Sequence, residues 1–155
     1  MAEKVNRNTK IYEYINSGIP QITIAHHAGI SRQSVGQIYT RYCEKYGSPE
    51  PMTKDITTID ISMHTKRKLK QEAQRLRTSI ATVIRLAINQ SIERNGKNPI
   101  TPVYARGALT EKSSLTKATE TQFDHLTEIQ ETEGINRAEA LRLIIANYDP
   151  ISITF

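Results

Sequence analysis

The stretch 55–95, DITTIDISMHTKRKLKQEAQRLRTSIATVIRLAINQSIERN, decides how the rest of the chain must be arranged. Thr58, Asp60 and Ser62 alternate with Ile59 and Ile61, the period of two of a half-buried strand. A basic helix begins near Thr65, with Leu69, Ala73 and Leu76 on one face and Lys66, Arg67, Lys68 and Lys70 around the rest. A tight turn at Thr78–Ser79 leads to a second helix that Ser79 caps. There Ile80, Val83, Ile84, Ala87 and Ile88 form an apolar band wider than one neighbouring helix needs, suited to burial against a partner. A lone strand leaves its backbone donors and acceptors unpaired, and even a two-stranded hairpin is marginal in water. The segment therefore requires a second copy of itself, from another chain or from later in this one.

A candidate copy follows. Asn95-Gly96 ends the second helix, and Pro99 and Pro102 make the next stretch irregular. A helix is expected from about Thr119 to Glu133, with Phe123, Leu126, Ile129 and Gln130 inward. Gly134 stops it, and Asn136 caps a last helix carrying Ala140, Leu141, Ile144 and Ile145. Asn136 corresponds to Ser79 and Leu126 to Leu69. Counting back by the same spacing puts Leu115 and Lys117 outward, with Ser114, Thr116 and Ala118 as core. Those are weak core residues, and a strand near Val103–Tyr104 is the alternative. Two arrangements remain, pairing of the copies within the chain or pairing of 56–95 between two chains. The poor second strand and the charge of this region favour pairing between chains, with the C-terminal third as a dimerisation or partner-binding module.

The first fifty residues read as three short helices. Asn8 and Thr9 can cap the first, which carries Ile11, Tyr12 and Ile15 and closes at Ser17-Gly18. Pro20 opens the second, with Ile24, Ala25 and Ala28 inward. Gly29 supplies the positive-φ corner, Ile30 fills it, and Ser31 caps a third helix carrying Val35, Ile38 and Tyr42. The opposite face of that helix presents Arg32, Gln33, Gln37 and Thr40. Gly47-Ser48-Pro49-Glu50-Pro51 reads as a linker that spans at most about 25–30 Å when extended.

Of the 155 residues, 37% are hydrophobic and none is Trp, which fits several small modules better than one large core. The formal charge is +5, unevenly spread. Residues 51–98 hold ten Lys/Arg against four Asp/Glu, and residues 99–155 five against eight. The basic middle favours a polyanionic partner. Cys43, the single cysteine, allows no intrachain disulfide and reads as a packing residue beside Tyr39 and Tyr46. The polar start and the lack of a long apolar run lead to the expectation of a cytoplasmic protein without membrane contact. No nucleophile–base pair, metal-ligand spacing or phosphate loop stands out, so neither catalysis, cofactor nor metal is expected. His26 and His27 are adjacent and point about 100° apart on a helix, unsuitable for one metal.

Gln21–Tyr39, QITIAHHAGISRQSVGQIY, resembles the helix-turn-helix family, with Ala25, Gly29, Ile30, Val35 and Ile38 at its small, glycine and apolar positions. That resemblance, over about 8–46, implies a third helix in the DNA major groove. Arg32, Gln33, Gln37 and Thr40 would then read bases, Arg suiting guanine and Gln adenine, with Ser31 and Ser34 on phosphate. Residues 56–95 resemble the ribbon-helix-helix family, and 113–148 a degenerate second copy, as in conjugative-plasmid accessory proteins that carry the motif in tandem. The resemblance implies base reading by Thr58 and Asp60, with Ile56 as a third candidate. It also implies phosphate contacts by Lys66, Lys68, Ser79 and Ile80, and by Asn136 and Arg137 in the copy.

The expectation is a mainly α chain in four parts. These are an N-terminal helix-turn-helix domain (1–46), a linker (47–55), a ribbon-helix-helix module (56–96) and a ribbon-helix-helix-like helical module (97–155). The implied function is sequence-specific binding of double-stranded DNA by a transcriptional regulator of bacterial, plasmid or phage origin, as a homodimer or with in-chain pairing. The alternatives are a relaxosome or partition accessory, or an antitoxin-like protein whose C-terminal third holds a protein partner.

Overall fold

The structure, a computed structural model, describes residues 6–56, 58–113 and 116–155. Three helices come first, α1 (Arg7–Asn16), α2 (Gln21–Ala28) and α3 (Arg32–Tyr46). Then follow β1 (Lys54–Ile56), β2 (Asp60–Ile61), α4 (Met63–Leu76), α5 (Ile80–Glu93), β3 (Glu111–Lys112), β4 (Thr116–Ala118), α6 (Glu120–Glu133) and α7 (Arg137–Ala146). Among the described residues the chain is mainly helical, with short antiparallel strand pairs.

Capping side chains set most helix starts. Ser31, Ser62, Ser79, Thr119 and Asn136 each accept a hydrogen bond from the backbone amide three residues on. Two starts differ from expectation for that reason. Asn6, not Asn8 or Thr9, caps α1 by accepting from the Asn8 amide. Ser62 starts α4 at Met63, two residues before the expected Thr65.

β1 pairs antiparallel with β4 (Lys54 opposite Ala118, Ile56 opposite Thr116), and β2 with β3 (Asp60 opposite Lys112, Ile61 opposite Glu111). Both ladders share one register, and Ile59 with Ser113 lies on it too, the Ser113 amide donating to the Ile59 carbonyl at 2.9 Å. The ribbon is therefore closed within the chain, which corrects the weighting toward pairing between chains. The physical reason is size. Ser113 and Ala118 are small, but they lie in the core that Ile56, Ile59 and Ile61 fill from the other strand, and all five are buried. A poor core strand is adequate when its partner carries the volume.

The alternative strand at Val103–Tyr104 is not formed, and Val103 is 91% exposed. Ser114 and Leu115 lie outside the described residues. Strict alternation also fails in the first strand, because Ile56 and Ile59 are both buried.

The second strand–helix–helix unit repeats the first. α6 and α7 begin 57 residues after α4 and α5, at Glu120 against Met63 and at Arg137 against Ile80. The antiparallel pairing of equivalent strands relates the units by a local pseudo-twofold. One core serves both, joining Leu69, Val83, Ile84, Ala87 and Ile88 of the first to Leu126, Leu141, Ile144 and Ile145 of the second. Segments 56–96 and 97–155 thus bury their apolar faces against each other.

A second core seats the N-terminal helices. Ile11, Ile19, Ile24, Ala25, Val35 and Ile38 pack with Leu76, Leu86 and Ile153. The Thr23 hydroxyl donates to the Leu76 carbonyl, and the Tyr14 hydroxyl donates to the Thr154 carbonyl at 3.1 Å. Gly18, at φ +99°, brings the α1–α2 turn onto Thr82 and Leu86. The segment after Gly47 is no free tether, since the Glu50 carboxylate accepts from both the Thr121 amide and its hydroxyl. Regular structure resumes at Lys54, inside the expected linker.

Candidate nucleic-acid interface

α3 owes its position to the turn before it. Gly29 adopts φ 69°, its amide bonded to the Ala25 carbonyl, and this swings the chain so that Val35 and Ile38 enter the core beside Ile24 and Ala25. The 3.6-residue repeat then turns Arg32, Gln33, Gln37 and Thr40 outward, and all four are exposed. Gln33, Gln37 and Thr40 line one face of a shallow depression of about 780 Å³ that Gln21 and Arg41 also line, with Arg32 outside it. Gly36 lies within this face. A Cβ there would stand 3.4 Å from Gln21 Oε1, so glycine keeps the depression open.

The hydroxyls on α3 are partly committed. Thr40 Oγ1 donates to the Gly36 carbonyl at 2.9 Å, leaving its methyl and lone pairs for any ligand. Ser31 and Ser34 oxygens lie 2.9 Å apart, with Ser31 also capping the helix. Behind the face, Tyr12 stacks near Tyr39, Tyr42 and Tyr46, fixing α1 against α3. Burial pushes the Tyr39 hydroxyl above its ordinary range, and the Cys43 thiol beside it adds to the rise.

The ribbon presents a second surface with a different electrostatic character. Asp55, Thr58, Asp60, Lys112 and Lys117 are exposed on it. Lys112 Nζ lies 3.2 Å from Asp60 and Lys117 Nζ 3.9 Å from Asp55, so both acids of one strand face both lysines of the other. These four charges cancel. Asp60, an expected base reader, has its carboxylate beside Lys112 and its carbonyl bonded to Arg142. Thr58 is exposed at mid-ribbon. Ile56, the third candidate, is only 2% exposed and belongs to the core, because it faces inward with Ile59.

The expected phosphate contacts divide. Ser79 and Asn136 are exposed at the starts of α5 and α7, the pseudo-equivalent positions of the two units. Ile80 is half-buried behind Ser79 and packs on the core, so only its amide can serve an anion. Lys68 is exposed, whereas Lys66 Nζ donates to the Lys112 carbonyl at 3.1 Å. Arg137 lies over the Phe123 ring at 4.2 Å and donates to Gln130, a packing role that the cap position does not announce.

Several residues at these surfaces escape a reading that takes each copy alone. Asp55 and Lys112 are exposed ribbon residues, and Gln21 and Arg41 border the α3 face. The step of 57 residues is the signal for the first pair, since it aligns Lys112 with Asp55. Arg85 reaches across from α5 to the Lys117 carbonyl at 3.1 Å, and burial lowers its pKa. No protein-family model, curated protein or solved structure matches the chain. Among the described residues, no helix is long and apolar enough to cross a membrane.

Proposed function

We propose that the chain is a sequence-specific binder of double-stranded DNA, acting as a transcriptional regulator of bacterial, plasmid or phage type. The observation that carries this reading is the exposed row Arg32, Gln33, Gln37 and Thr40 on a helix held out by the Gly29 turn. Arg offers a two-pronged donor set to guanine and Gln a donor–acceptor pair to adenine, the chemistry of major-groove recognition. The helix-turn-helix reading of residues 8–46 and the tandem ribbon-helix-helix reading of the remainder supply the family frame. The paired ribbon supports a second contact surface, with Thr58 at its centre and Ser79 and Asn136 flanking it at two helix starts.

One chain then offers one α3 and one ribbon with two unlike strands, so its target is a non-palindromic duplex site. The test is selection of binding sites from random duplex DNA, followed by footprinting and titration at several salt concentrations. A reproducible asymmetric motif with a negative salt slope is expected. Recovery of no motif would overturn the reading, and a perfect palindrome would overturn the single-chain target.

In-chain pairing also favours a second role, that of a relaxosome or partition accessory, for which tandem ribbons are the precedent. Footprints confined to a transfer or partition origin, without transcriptional change, would decide for it. An antitoxin-like role has less support, because the apolar faces of α6 and α7 are spent in the shared core.

A further inference from the structure

A cavity of about 610 Å³ opens between α4, the connector at 100–104 and the end of α7. That volume suits a small molecule, for which sites of about 300–1,000 Å³ are usual. Its apolar wall is preformed by Leu69 (2% exposed) and Ile145 (8% exposed). On the connector side, Ile100 and Val103 are 59% and 91% exposed, two large aliphatic side chains left uncovered. Ile100 is held there by its backbone. The buried Asn147 side chain accepts from the Ile100 amide and donates to its carbonyl, both at 2.8 Å.

Polar groups also lie on the wall. Tyr148 Oη is out of solvent near Glu72 and Ile151, and burial, with the Glu72 carboxylate next, pushes its pKa up to about 12. The nearly buried Glu72 carboxylate is matched by Arg75, which also donates to the Ile151 carbonyl at 2.7 Å. Lys68 is exposed and enters no ion pair among the described residues. Among Lys68, Arg75 and Glu72 one positive charge is therefore uncompensated.

We propose that this cavity is a binding site for a small amphipathic carboxylate, independent of any contact with DNA. The ligand's flat or branched apolar body lies on Leu69, Ile145 and Val103, and its acid group meets Lys68. The wall runs along α4 from Ser62, next to the ribbon, to Arg75, next to the Leu76 contact with the N-terminal helices. A ligand here touches the element that joins both exposed surfaces.

The test is calorimetric titration of the full chain, without DNA, with 1-naphthoate and its neutral isostere 1-naphthamide. Naphthoate is expected to bind one to one and roughly tenfold or more tighter than the amide, the scale of one charge-assisted contact. Lys68→Gln should collapse that difference. Ala146→Trp, which fills the cavity, should remove binding of both. Should Ala146→Trp fail to fold, Val103→Asp at an almost fully exposed position replaces it and should weaken naphthoate by a similar factor. Absence of naphthoate binding, equal affinity for the amide, or affinity untouched by the folded cavity variant would each overturn the proposal.

Discussion

At matching positions the two strand–helix–helix units carry Ile56 and Ser113, Ile61 and Ala118, Leu76 and Glu133, Leu86 and Leu143. The central contact is shared in kind, with Leu69 and Leu126 both buried in the joint core. The edges are not. Leu76 and Leu86 of the first unit are buried under Ile19, Ile24 and Ile153, which is what seats the N-terminal helices there. The counterparts Glu133 and Leu143 are exposed and half-buried, and they border a depression with Tyr104 and Leu109 of the connector. A shared interior thus coexists with unlike surfaces, and a local symmetry of the core does not extend to the groups that could touch a ligand.

The most severe way to break the comparison is to remove one unit. A chain ending at Lys97 loses half the ribbon and half the core, and is expected to lose cooperative folding as a monomer. Circular dichroism with light scattering would check this, and a 1–97 monomer that keeps the full helix content of α1 to α5 would refute the core shared by the two units. Next come Leu69→Ala and Leu126→Ala. Each should cost about 2–5 kcal/mol in denaturant melts, with both variants unfolding the two units in one transition. Separate transitions would show that the units are independent.

On the DNA side, Arg32→Ala and Gln33→Ala should each weaken specific binding by about 1–3 kcal/mol and relax preference at single base pairs. An unchanged motif from site selection would remove them as readers.

A pH measurement sharpens the contact between units. His125 of α6 lies with its Nε2 2.8 Å from Ser91 Oγ of α5, and burial lowers its pKa despite the Glu128 charge that opposes the shift. The folded state therefore takes up a proton less readily than the unfolded chain. This contribution is fully present above the ordinary histidine range, about pH 6.5, and is lost as pH falls below it. His125→Gln should flatten that part of the stability curve in urea melts at pH 5–7. A slope unchanged by the substitution would rule this histidine out.

The smallest effect belongs to the ribbon ion pairs. A double-mutant cycle on Asp60 and Lys112 should give a coupling of about 0–1 kcal/mol in stability, as for exposed pairs generally. A larger coupling would mean that the pair holds the strands together.

Much of this architecture was legible in the chain. Ser31, Ser79 and Asn136 announce helix starts because a short oxygen-bearing side chain satisfies an amide that the helix leaves free. The apolar faces around Leu69, Val83, Leu126 and Ile144 follow from helical spacing. The ribbon's partner was legible only as one of two arrangements, since strand pairing is made by backbone groups that nearly every residue carries. Ala118 looks inadequate, and Ser113 does not stand out at all, until Ile56, Ile59 and Ile61 are placed with them. Nor could Leu76 reveal that it meets Ile24 rather than a second subunit, for an apolar side chain does not name its cover.

For the candidate interface, the α3 face was legible as residues 32, 33, 37 and 40. The neutral ribbon surface was not, because Asp55 and Asp60 acquire their lysines only through the register. Ile56, a third candidate by resemblance, is a core residue, because strict alternation does not hold between it and Ile59.

The in-chain register has a consequence for dose. In a ribbon built from two identical chains every substitution appears twice, and association weakens as the protein is diluted. Here the partner strand travels with its mate, so the ribbon persists at any concentration. A substitution at residue 112 alters one strand while its counterpart at residue 55 is untouched. Each half of the surface can therefore change by single steps, independently of the other.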